Sequence, residues 1–323
     1  MDNKSIYKKT ISFSLWRVLW DFIAIAAFAI FTIAGFVVAN QSSGAGLAGL
    51  AVGAIIGGIC AYLILHFIAY TYKAGQIAMM TEGVTKGKLP ADVVKAGKKI
   101  VKERFATVAA YYAVTGAIKG IFRQIGNGIT AVGRAVGGDN GGAVGGTISA
   151  AINTIVAYLC DCCLGWVFYK KDQKATQATL EGAAIFFKHG KIFIKNLSRI
   201  FGFSLVSFLV IGGVFMGITY LILLAFPDAM ATLSHETAEV IARSGKEVPA
   251  FINDATIFSV ICSAIVGVIM WSILHSTFVR PFILVGVLRN FIDSGKQYTP
   301  SESDLAEIDK KSKKFAKLRA ESA

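Results

Sequence analysis

The chain has 323 residues and a mass of 34.5 kDa, with 54% hydrophobic residues, only 16% charged residues and a mean hydropathy of +0.60. Soluble domains carry roughly 25% charged residues, so the composition excludes an ordinary soluble protein and points to the membrane. The net charge of +13 reads as a basic face beside anionic lipid headgroups, with no nucleic acid required.

In chain order, the first uncharged run long enough to cross a hydrocarbon core, about 20 helical residues, is Phe22 to Ala39. It is longer than a signal-peptide core, and only Asn40 to Gly46 separate it from the next run, so it is expected to be retained. Trp16 and Trp20 mark its entry as an aromatic belt. Arg17 and Asp21 stand four residues apart, where they can pair on one helix face. Asp21 is thus either half of an interfacial ion pair or an intramembrane carboxylate that holds a cation.

The second run, Leu47 to Tyr72, carries His66 near its end. A third, Phe105 to Ile125, holds Tyr111 and Tyr112 and is interrupted by Lys119 and Arg123. Gly126 to Gly146 contains nine glycines, with Gly133, Gly137, Gly141 and Gly145 at every fourth residue. That spacing suits close helix approach, and a flexible outer loop is the alternative. A fourth run, Ala143 to Tyr169, contains Cys160-Asp161-Cys162-Cys163. Neighbouring helix positions diverge around the axis, so these four side chains do not converge on a metal. Ile200 to Phe226 and Ala255 to Val279, the latter with His275, complete six spans. Four spans with two partly inserted hairpins is the alternative count. Period-two alternation is absent, so the spans are helices.

Lysine and arginine fall in alternate connections: four in 1–17, eight in 73–104, seven in 170–199 and nine in 280–323, which is 28 of 33. By the positive-inside rule both termini are cytoplasmic and three hairpins point outward. The five cysteines, an odd number, all lie in or at the ends of spans, which argues against a disulfide framework.

An internal repeat is visible. Lys95, Gly97, Lys98 and Lys102 match Lys188, Gly190, Lys191 and Lys195 at a constant offset, and Leu65-His66 pairs with Leu274-His275. Gly87-Lys88 with Pro90 echoes Gly295-Lys296 with Pro300. We read three parallel copies of a basic amphipathic helix and a helical hairpin, over 1–90, 91–182 and 183–300, followed by a basic tail over 301–323. The amphipathic segments are expected at the interface, apolar side in the acyl boundary.

No Ser-His-Asp order, zincin motif, nucleotide loop or paired carboxylates stand out, so no enzymatic activity, cofactor or metal is expected. The candidate binding residues are Asp21 and Asp161 for negative charge, Tyr111 and Tyr112 for aromatic faces toward a small organic cation, and His66 and His275. The histidines serve either proton coupling or packing hydrogen bonds.

The stretch from Tyr111 to Arg199 resembles the later half of the choline transporter-like proteins. The likeness rests on Ile118-Lys119-Gly120-Ile121-Phe122-Arg123, on Cys160-Asp161-Cys162-Cys163-Leu164, and on Glu181-Gly182 through Lys191 to Asn196-Leu197-Ser198-Arg199. Phe278 to Asp293 is similar to that family's last span and exit in layout. The family has about ten spans and a large outer domain after its first span, which six spans cannot supply. The resemblance implies carriage of choline or a related organic cation. The sequence reading is therefore an all-α polytopic protein of the cell membrane that transports a small organic cation. The rival is a membrane scaffold or envelope-assembly protein whose tail, Lys310 to Arg319, binds lipid or a partner.

Overall fold

The structure, a computed structural model, describes residues 1–43, 46–137, 141–194, 197–243 and 245–322, and the side chains of 43, 47, 125–153 and 190–198 lie outside that description. The glycine-rich segment of the sequence analysis falls largely on these residues. Helices occupy nearly all of the described chain, and no strand occurs among the described residues. The protein is an all-α membrane protein.

Four helices are long and apolar enough to cross a bilayer: Asn3–Ser42, Ala48–Lys86, Arg199–Leu224 and Ala255–Lys296. They correspond to the four uninterrupted runs of the sequence. Between 6% and 17% of their most apolar windows is buried within the protein, so their remaining surface suits lipid. The third expected run is a bent pair, Val93–Arg104 and Val108–Gln124, with an angle of 82° between its halves; counted as one crossing it makes a fifth. Of the fourth run, Thr154–Tyr169 is described as a shorter apolar helix.

Contacts divide the chain into two units, Met1–Leu197 with Pro281–Ala323, and Ser198–Arg280. The first unit holds α1 (Asn3–Ser43), α2 (Gly46–Ile64), a π-turn (Leu65–Ala69), α3 (Tyr70–Lys86), α4 (Val93–Arg104), α5 (Val108–Gly137), α6 (Gly141–Tyr169) and α7 (Ala175–Ile194). α1 and α2 form a hairpin whose axes approach closely because glycines line the seam. A Cβ on Gly53 would overlap the carbonyl oxygen of Phe31, and one on Gly35 would overlap that of Gly49.

A helix of 39 residues, Ala48–Lys86, is about 58 Å long at 1.5 Å per residue, nearly twice a hydrocarbon core of about 30 Å. Its second half, α3, which we term the stalk, exceeds that thickness and is buried by protein. Phe13, Tyr72, Met79 and Val93 form one core cluster. α4 starts at an Asp92 cap that accepts the Lys95 amide, and it buries Val93, Gly97 and Val101. Gly97 lies against Phe13 and Gly75. The apolar side of α4, expected in the acyl boundary, is thus occupied by α1 and α3, and Lys95, Lys99 and Lys102 face outward. Gly87 ends α3 with φ of 68°, the left-handed conformation that favours glycine.

The helices packed around the stalk form a head, the rest of which is built on Trp166, Phe168, Leu288 and Phe291, all buried. α13 (Arg280–Lys296) leads to α14 (Glu302–Lys311) and α15 (Lys313–Ala320). Ile308, Ser312 and Phe315 of this tail are buried, and Lys188 pairs with Asp304 at 3.1 Å.

The second unit holds α8 (Leu197–Ser207), a π-turn (Phe208–Gly212), α9 (Gly213–Leu224), α10 (Pro227–Arg243), α11 (Ala250–Asn253), α12 (Ala255–Leu274) and a π-turn (His275–Val279). Ser259, Ser263 and Gly267 are the buried side of α12. Gly267 meets Gly212 and Met216 across the hairpin.

Candidate functional site

The π-turn at Leu65–Ala69 interrupts the regular backbone ladder, which leaves carbonyl capacity unused. Tyr112 fills it: its hydroxyl donates to the His66 carbonyl oxygen at 2.7 Å. The Tyr112 ring also stacks on the His66 imidazole, with centroids 3.7 Å apart and planes 7° from parallel. Tyr62, one turn back on α2, stacks on the same imidazole at 4.9 Å. Tyr70 lies 4.9 Å from Tyr111 and 5.9 Å from Tyr112. Tyr111 stands edge-on to Tyr112 at 5.1 Å and to Phe105 at 5.5 Å.

Asp161 enters this knot from α6. It is 3% exposed, and its carboxylate pairs with the Lys73 ammonium at 2.9 Å. Asp161 and Arg17 are the charged groups that act electrostatically on the Tyr111 hydroxyl. Four of the six residues singled out in the sequence, His66, Tyr111, Tyr112 and Asp161, therefore meet in one place, on three different elements. Asp21 lies on α1 one turn after Arg17 and is partly buried.

His275 belongs to the second unit and has a hydroxyl environment. Its Nδ1 lies 2.9 Å from Ser207 Oγ and its Nε2 3.5 Å from Ser204 Oγ. The Ser207 hydroxyl donates to the Ser204 carbonyl and accepts from Trp271 Nε1 at 3.1 Å. Because that hydroxyl has one proton and two lone pairs, the assignment that satisfies every group puts the proton on Nδ1 of His275. Such a serine donates to its own helix.

Tyr62 and Tyr70, two of the many aromatic residues that the sequence offers in and around its apolar runs, join the site, together with Lys73, which the sequence does not mark. A signal for Tyr62 exists: Tyr62-Leu63-Ile64-Leu65-His66 and Trp271-Ser272-Ile273-Leu274-His275 share an aromatic residue four before the histidine, followed by Ile-Leu. Both aromatic rings contact their histidines, Trp271 at 5.3 Å. Nothing local marks Lys73 as the partner of a carboxylate 88 positions later.

Cys163 is buried, its thiol 3.6 Å from the Thr179 carbonyl and pressed against Gly182. Cys162 is buried and Cys160 partly exposed, and all are free thiols. Among the described residues no three His, Cys, Asp or Glu side chains converge as metal ligands. Chemically, the knot offers aromatic faces already covered by one another and an acid already paired with a lysine. Compared with protein-family models, curated proteins and solved structures, the chain matches none of them.

Proposed function

We propose that this protein is a multi-pass membrane scaffold: lipid-facing helical hairpins that carry a packed, basic head on the cytoplasmic side of the cell membrane. The observation that supports this reading is the closure of the knot. Holding an organic cation takes an acid and open aromatic faces, whereas Asp161 is paired with Lys73 and Tyr112 lies flat on His66. The head, by contrast, has a dense core of Trp166, Phe168, Leu288 and Phe291. The unit that contains it carries 29 Lys and Arg against 15 Asp and Glu.

Carriage of an organic cation such as choline is the second reading. It is favoured by the gathering of four tyrosines and a carboxylate, and it requires a state in which Lys73 leaves Asp161. Uptake of labelled choline into proteoliposomes, beside protein-free vesicles and an Asp161→Asn variant, separates the two. The scaffold reading expects flux no higher than in empty vesicles from folded protein. Saturable uptake that falls in the variant overturns it.

The repeat enters the same proposal. Under a shift of 210 residues, the end of α2 falls on that of α12, the two five-residue π-turns coincide, α3 coincides with α13, and Pro90 coincides with Pro300, while the aromatic-histidine motifs align one residue out of this register, under a shift of 209. Shared boundaries support descent of 1–90 and 183–300 from one hairpin unit. The middle copy would be a hairpin inserted only in part, because α5 turns away from α4 by 82°.

A further inference from the structure

The tail docked on α5 adds one cation to two that stand there already. α4 buries every fourth residue, Val93, Gly97 and Val101, with Gly97 against Gly75 of the stalk. An 82° turn then directs α5 away from the axis of α4. Its level is fixed by the Tyr112 hydroxyl on His66, at the end of α2. On this helix Lys119 and Arg123 are both exposed and stand one turn apart.

The tail supplies the third cation. Gln124 Oε1 accepts from the Ser312 hydroxyl at 2.7 Å and from the Lys314 amide at 3.0 Å. Ser312 and Phe315 are buried, so the backbone at Lys314 is pinned to α5. The Lys314 side chain lies over Gly120, one residue after Lys119 and three before Arg123, where a Cβ would come within 2.6 Å of its Nζ. Any larger residue at 120 would displace the ammonium group. Among the described residues none of these three cations has an acidic partner. Other tail cations do: Arg319 pairs with Asp309 and Glu302, and Lys311 with Glu307.

We propose that Lys119, Arg123 and Lys314 bind the phosphate group of an anionic lipid headgroup, in a site that exists only while the tail is docked. Three uncompensated positive charges at the membrane surface match a phosphodiester in charge and position. The stalk cations do not share this geometry. Lys86 lies sixteen residues beyond Tyr70, about 24 Å along the helix, which exceeds a Debye length of about 8 Å. The inference requires α2 to cross the bilayer and is independent of the choice between scaffold and carrier.

Native mass spectrometry of the full chain, equilibrated in detergent with phosphatidylglycerol and phosphatidylcholine, reads the preference directly. The preference is expected to fall about fivefold for each cation replaced by glutamine. Gly120→Leu should lower it without removing a charge, and Lys314→Arg should keep it. Lys86→Gln with Lys88→Gln and Lys95→Gln removes equal charge from the far end of the stalk and the start of α4 and should leave it unchanged. Equal loss in that control variant, or no loss in the site variant, overturns the proposal. Thermal stabilisation by inorganic phosphate in detergent that matches the effect of phosphatidylglycerol would assign the site to a soluble phosphate and overturn the lipid assignment.

Discussion

Replacing Lys73 by alanine tests the closure of the knot. Asp161 is 3% exposed, so the substitution strands a buried carboxylate. Removing one partner of a buried pair costs about 3–5 kcal/mol. The Lys73 side chain is 36% exposed, so water reaches the site and the cost is reduced to about 2–3 kcal/mol. Asp161→Asn keeps the shape, drops the charge and leaves a lysine that can rehydrate, at about 1 kcal/mol. Combining the two removes both charges and should be milder than the sum. Thermal unfolding in detergent, followed by fluorescence of the buried Trp166, should place Lys73→Ala about 3–5 °C below the parent and below Asp161→Asn. The reasoning fails if Lys73→Ala unfolds no earlier than Asp161→Asn, or if the double variant equals the sum.

Other outcomes follow from the same contacts. Gly53→Leu should destabilise the α1–α2 hairpin by about 2–3 kcal/mol through overpacking, whereas Gly58→Leu on the same helix, with nothing within 4 Å, should be neutral by the same unfolding assay. Asp304 is held well below the ordinary carboxylate range, first by the Ser301 hydroxyl and also by Lys188. A depressed folded value means that its contribution is complete above the unfolded value and is lost only as pH falls through the folded one. Tail docking should therefore be constant between roughly pH 5 and 8, while Asp304→Asn should speed protease cleavage near Lys310 at neutral pH. Ser207→Ala strands Trp271 Nε1 and His275 Nδ1 and should cost about 2 kcal/mol, read as earlier unfolding.

The four long spans were legible because hydropathy over 20 residues is a local property. The stalk was not: residues 73–86 are polar enough to look like a connection, and only contact with Phe13 and α4 shows that α2 continues as α3. The apolar stripe of α4 was visible, but its occupant was not, since acyl chains and a neighbouring helix ask for the same side chains. The tail posed the same ambiguity. Phe315, within the segment Lys310 to Arg319 expected to bind lipid or a partner, is buried on the protein's own head. Tyr111, Tyr112 and His66 drew attention as polar aromatic groups inside apolar runs, yet their meeting depends on the 82° bend, which no spacing encodes. The Lys73–Asp161 pair lies beyond sequence reading for the same reason.

The π-turn at Leu65–Ala69 also sets an angular gear. Each residue advances a helix by about 100°, and a π-turn holds one residue more than the regular winding. α1 runs unbroken from Asn3 to Ser43 and meshes with both halves of its neighbour, at Gly49 and Gly53 in the hairpin and at Gly75 and Gly83 in the stalk. Deleting a single residue from this turn would rotate one half against the other by that step, and an uninterrupted α1 cannot follow. The phase of the whole head thus hangs on a count of five residues, and the turn at His275–Val279 keeps the same count.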